Sequence, residues 1–241
     1  MRILRVVVII AVVLGALFTG VDRWSVNYAE NRLADKIKAQ RGTVAGSEVD
    51  IHGFPFLTQA LSHDLDRVDL KLRGVEVTAD GRKTRLSELD ASFRGVKLDE
   101  DYGGGTARRA EGSGLISYAD LTAASQTDAT LSYGGAPGKV KVTVAVEVFG
   151  RTLTRHVVST VTLVDGEGTD GAKGGKTVRV RADEVPGEGI PGLERMIRKR
   201  TDFDRSLGDG LPAGLQLTAL TSDEAGLRLE LGGSNVVLAG S

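Results

Sequence analysis

The apolar residues of this chain follow three successive patterns. From Val6 to Phe18 they run unbroken, with Arg2 and Arg5 before them and Asp22-Arg23 after. From Asp22 to Gln40 they recur at helical spacing, as Val26, Ala29, Leu33 and Ile37, separated by Glu30, Arg32, Asp35, Lys36 and Lys38. From Val49 onward they alternate with polar residues. These patterns predict an export segment, an amphipathic helix ended by Gly42, and a succession of strands.

A positive n-region before an apolar h-region directs the rest of the chain across the cytoplasmic membrane. Cleavage and retention both remain open. No A-x-A-like site follows, because a cut after Gly20 puts Phe18 at the −3 position. Val6 to Val21 makes about 24 Å of helix at ~1.5 Å per residue, short for a span, although Arg5 could snorkel and Trp24 could sit at the interface. Residues 1–21 are expected to be a signal peptide or a signal anchor, and residues 22–241 a single β-rich domain. The chain has no cysteine, which excludes a lipoprotein anchor and any disulfide.

The alternating segments begin with Val49 and Ile51. Val68, Leu70 and Leu72 follow, then Val75 and Val77 beyond Gly74, which reads as a bulge. Leu89, Ala91 and Phe93 form another set, broken by Gly95 before Val96 and Leu98. The clearest strand is Lys139 to Val148, with Val140, Val142, Val144, Val146 and Val148 on one face. Phe149-Gly150 predicts a turn into a partner over Thr152 to Val164, and Val178 and Val180 mark a further strand. Leu215, Leu217 and Ala219 pair with Leu227, Leu229 and Leu231 across a Ser222–Gly226 turn, and Val236 to Leu238 closes the chain. Short helices are expected over Tyr118 to Ser125, after an N-cap at Ser117, and over Leu193 to Arg200. Loops are expected at Asp101–Ala107 and Asp165–Gly175.

Strands with one polar and one apolar face fit an antiparallel sheet with one wet face, whose other face needs cover. One long helix and two short ones are available to provide it. The expected fold class is α+β: a strongly curved antiparallel sheet wrapped around the long N-terminal helix, with short additional helices.

Composition narrows the chemistry. Lys plus Arg is 31 and Asp plus Glu is 32, so no global field attracts nucleic acid. His52, His63 and His156 show no zinc-ligand spacing, and no serine lies in a G-x-S-x-G elbow. Gly171 to Thr177 resembles a P-loop superficially, but Asp170 occupies the position of its first glycine and a strand follows instead of a helix. Asp99-Glu100-Asp101 lacks calcium-loop spacing. No cofactor, metal or catalytic residue is expected, and the protein is not expected to be an enzyme. The basic face from Arg195 to Arg200 suits either an anionic lipid surface or plain solvent.

The segment from Val49 to Leu61 is the most distinctive, through Gly53-Phe54-Pro55-Phe56-Leu57-Thr58. Pro55 drives Phe54 toward extended geometry, so two aromatics and Leu57 project within four residues. Two of the chain's six phenylalanines would not be spent on a solvated turn. The corner is either a plug in the core or the lip of an apolar ligand cavity.

This motif, after an export segment and a helix, resembles the LmeA-like family of actinobacterial envelope proteins. Leu211-Pro212-Ala213-Gly214-Leu215 and the hairpin from Gly226 to Val236 are similar to it as well. The resemblance covers about Asp22 to Leu238. It implies a phospholipid-binding protein outside the cytoplasmic membrane, a role in lipomannan extension in mycobacterial members, and a fold related to the tubular lipid-binding (TULIP) proteins. It implies no catalytic residues.

The expected function is extracytoplasmic phospholipid binding, with acyl chains held in an apolar groove and burial as the driving force. Val26, Leu33 and Ile37 would supply one wall, Ile51, Phe54, Phe56 and Leu57 the neck, and Val142, Val144 and Val146 the opposite wall. The expected partners are phospholipid, the outer face of the cytoplasmic membrane and envelope-biosynthesis proteins. The main alternative is a structural or scaffold protein of the envelope with a filled interior; an envelope hydrolase lacks a nucleophile.

Overall fold

The structure is a computed structural model that describes residues 2–41, 45–79, 82–125, 129–148, 151–167, 173–183, 198, 202–206 and 211–238. Helix α1 (Arg2–Arg41) opens the chain, followed by strand β1 (Gly46–His52), helix α2 (Phe56–Ser62) and strands β2 (Asp64–Ala79), β3 (Arg82–Leu98) and β4 (Gly105–Ser117). Helix α3 (Tyr118–Ser125) leads to β5 (Ala129–Tyr133), β6 (Lys139–Val148), β7 (Arg151–Glu167), β8 (Lys173–Ala182) and β9 (Phe203–Ser206). The hairpin β10 (Leu215–Ser222) and β11 (Gly226–Leu238) ends it. The fold class is α+β and mostly antiparallel.

The segment expected to direct export and the expected amphipathic helix are one uninterrupted helix. At ~1.5 Å per residue, 40 residues make α1 about 60 Å long. Among the described residues no helix is long and apolar enough to cross a membrane; the side chains of residues 2–11, 13 and 14 lie outside that set.

The strands form two sheets, where one curved sheet was expected. Six run in the order β1-β2-β3-β4-β11-β10 and five in the order β5-β6-β7-β8-β9. Helix α1 lies against β1 and α2 at one end of the six-stranded sheet. At its other end that sheet packs on the five-stranded one, where Leu217 and Leu227 meet Val140, Val161, Val178 and Val180. Another cluster, Leu72, Val75, Leu86 and Ile116, fills the middle, with Leu121 of α3 beside it.

Several local expectations change. Strand β4 takes Gly105 to Ala107, and β7 and β8 extend into the second expected loop, to Glu167 and from Lys173. Backbone pairing across strands outweighs glycine content in both places. Gly74 has a φ of 64° but adds no residue, since Arg73 stays opposite Glu88 and Val75 opposite Leu86. It turns the strand without a bulge. The Phe149-Gly150 turn lies outside the described residues, as does the Leu193–Arg200 helix apart from Arg198, which is helical.

The six-stranded sheet contains a coordinated slip. Leu65 and Val68 in β2, Phe93 and Val96 in β3, and Ala107 and Ala110 in β4 all turn inward although the members of each pair are three positions apart. Strict alternation would send one of each pair to solvent. The slip falls at one row across β2, β3, β4 and β11, so register is kept: Leu65 faces Val96 and Arg67 faces Arg94 on its two sides. Gly95 (φ 59°) and Asn235 (φ 51°) carry the left-handed backbone that permits it.

Candidate functional site

Among the described residues, two polar contacts fasten helix α1 to β1 and a third fastens it to α2. The N–H of Ile51 donates to Glu30 Oε1 at 2.8 Å, and Ser47 Oγ donates to the carbonyl of Ala34 at 3.1 Å. The N–H of Leu57 donates to Asp22 Oδ1 at 2.8 Å. Leu57 is the second residue of α2, whose N-cap, Pro55, has no capping side chain. Asp22 therefore caps α2 from another helix. It is fully buried, and its Oδ2 has no hydrogen-bond partner.

These contacts place the Gly-Phe-Pro-Phe corner against α1. Gly53 has a φ of 117°, and a Cβ there would lie 2.1 Å from the Gln59 amide. Gln59 Oε1 in turn accepts from the N–H of Asp66 at 2.8 Å, closing the corner onto β2. The Phe54–Pro55 peptide is cis. Phe56 points inward, 8% exposed, beside Val26, Leu65, Val96 and Ala107, with Ile51 at the edge of the same cluster. Phe54 points outward, 54% exposed, with the guanidinium of Arg23 6.0 Å from its ring centre.

Along α1, Leu17, Phe18, Val21, Trp24 and Tyr28 are exposed apolar residues. Trp24 and Tyr28 stack at 5.9 Å. A hollow of about 420 Å³ lies against Ala16, Leu17, Gly20 and Val21.

The expected lining residues are thus divided. Val26, Ile51 and Phe56 come together in one cluster, and Leu57 is half-buried at the clasp. Leu33 is on α1 but exposed, and the side chain of Ile37 lies outside the described residues. Val142 and Val144 pack with Ala129 in the five-stranded sheet, away from the corner. Val146 lies on the same strand, its side chain outside the described residues.

A larger cavity, about 1110 Å³, opens on the polar face of the six-stranded sheet. Arg67, Asp69, Lys71, Asp90, Ser92 and Glu111 are among its lining residues. Asp69 accepts from Arg67 Nη2 at 3.0 Å and lies 2.8 Å from His52 Nε2. Burial pushes the Asp69 carboxyl up, but Ser92, Arg67 and His52 together hold it below its ordinary value.

Asp22 and the charged cavity were not singled out from sequence. Asp22 left a signal, as the first carboxylate of the chain, directly after the apolar run. The cavity left none, because alternating charges on a strand also describe any solvated sheet face.

Comparison with known families decides the identity: residues 20–232 match the LmeA-like phospholipid-binding family. The chain belongs to that family. No curated protein and no solved structure matches it significantly. As an LmeA-like protein it has a general lipid-binding role, and this is a binding family rather than an enzyme family.

Proposed function

We propose that this LmeA-like protein binds phospholipid at the outer face of the cytoplasmic membrane, where the N-terminal half of α1 holds it. Acyl chains enter between α1 and the β1–α2 corner. Val26, Ile51, Phe56 and Leu57 line this neck, Phe54 forms its lip, and Leu33 and Ile37 continue the wall along α1. Val142 and Val144 take no part in the neck. The slip row supports curvature of the six-stranded sheet toward α1, the TULIP-like arrangement. Support for envelope lipoglycan assembly or for lipid transfer follows from this placement.

The observation that carries the reading is the opposed orientation of Phe54 and Phe56. One is packed in the cluster and the other stands in solvent where the apolar run of α1 ends. An exposed phenylalanine at the corner and an exposed Trp-Tyr pair on α1 are side chains suited to a membrane interface. The chain's single tryptophan, Trp24, tests this. In vesicles containing brominated phospholipid its fluorescence is expected to be quenched; unquenched emission typical of water would remove the membrane placement.

A further inference from the structure

We propose that Arg94 and Arg109, flanked by Arg67 and Arg108, form a binding site for a phosphoryl anion on the polar face of the six-stranded sheet. Arg67 lies directly opposite Arg94, and Arg94 directly opposite Arg109. Directly opposed residues of antiparallel strands share a face, with Cα atoms roughly 4.5–5.5 Å apart. Three cations in one such row repel one another and destabilise the sheet.

The described carboxylates do not resolve this: Asp66, next to Arg67, extends to Gly53, where a Cβ would lie 2.7 Å from its Oδ2. Asp69 is engaged by Arg67 and His52. Glu111 lies two residues from Arg109 on β4, one carboxylate beside two arginines, and Asp64 faces Lys97. Arg94, Arg108 and Arg109 make no ion pair with any described residue. Arg108 lies across Gly95, where a Cβ would come within 2.8 Å of its guanidinium. That glycine lets a fourth cation fold over the row.

A phosphoryl group removes the repulsion. Its oxygens accept paired N–H bonds from guanidinium forks, and two neighbouring forks can share one group. The position suits a lipid head group. His52 occupies the same row on β1, opposite Arg67, and the corner held by Asp22 begins at the next residue. The large cavity opens beside the row at Arg67, Asp69, Ser92 and Glu111, giving the rest of a head group polar walls. The lipid source of the phosphate rests on the membrane reading above; the anion site itself does not.

The test uses the full chain in maltoside micelles and the double variant Arg94→Gln/Arg109→Gln, with Arg155→Gln on β7 as the charge control. Three probes are titrated: dihexanoyl phosphatidylglycerol, dihexanoylglycerol, which lacks the phosphate, and inorganic pyrophosphate. The double variant is expected to bind the phosphatidylglycerol about tenfold or more weakly, with the dihexanoylglycerol unchanged and the control like wild type. Its ligand-free melting temperature is expected to be no lower than wild type, because an opposed pair of like charges is gone. If wild type binds pyrophosphate and the double variant does not, while neither binds lipid, the anion site stands with free phosphate as its source and the lipid reading alone falls. Equal affinities of wild type and double variant for both phosphorylated probes would overturn the site.

Discussion

Asp22 of α1 and Leu57 of α2 are joined by a 2.8 Å hydrogen bond from backbone N–H to carboxylate. Thirty-five positions apart in sequence, they fix the Phe54–Phe56 corner to the end of the apolar run. Because α1 is continuous from Arg2 to Arg41, wherever its first half lies determines where the corner lies.

Asp22→Ala leaves the half-buried N–H of Leu57 without an acceptor and α2 without a cap. The expected loss of stability is about 1–2 kcal/mol. Asp22→Asn keeps an acceptor oxygen and is expected to fall between wild type and the alanine variant. Thermal unfolding of the full chain in micelles measures both, and limited proteolysis near Phe54 is expected to accelerate in Asp22→Ala. Equal stability of all three would show that the contact does not hold the corner.

The two phenylalanines separate packing from binding. Phe56→Ala empties a site that is 8% exposed and is expected to destabilise by about 3–5 kcal/mol. Phe54→Ala touches an exposed side chain, and its stability is expected to stay within about 0.5 kcal/mol of wild type. Its retention of phospholipid is nonetheless expected to fall several-fold. Retention unchanged in Phe54→Ala would remove the lip from the account.

In the five-stranded sheet, burial raises the Asp183 carboxyl, but hydrogen bonds from Lys139 (2.7 Å) and Thr160 and the lysine's charge outweigh it. The folded value therefore lies below the ordinary 3.8. A carboxyl depressed on folding contributes stability that is whole above the unfolded value and lost as pH falls through the folded one. Asp183→Asn is thus expected to be less stable than wild type at pH 7, with the gap narrowing below about pH 4. A pH-independent gap in melting temperature would refute the assignment.

Local chemistry was legible in the sequence where a side chain acts on its own neighbours. Ser117 caps α3 as its position suggests, accepting from the N–H of Asp120 at 3.1 Å. Val140, Val142 and Val144 of β6 are buried on one face, and the β10–β11 hairpin pairs Leu217 with Leu231 as expected. Long-range pairing was not legible. Strand β4 went unassigned because Ala107, Ala110, Gly112 and Gly114 are small and the slip at Arg108-Arg109 breaks their period. The same slip hides the arginine row, since Arg67, Arg94 and Arg109 become neighbours only once three strands are in register. Val142 and Val144 are expected from sequence as the wall opposite the neck because nothing in a strand's own sequence says which of two sheets it joins. Seven residues of α2 are too few for a helical period, so the corner's cap on α1 was invisible as well.

Native mass spectrometry of the full chain, released from micelles after purification from a bacterial membrane fraction, tests lipid binding most directly. The account predicts a charge-state series displaced by the mass of one phospholipid, and loss of that series in Phe54→Ala under the same activation. A wild-type chain that is lipid-free and stays so after incubation with phospholipid vesicles would contradict it.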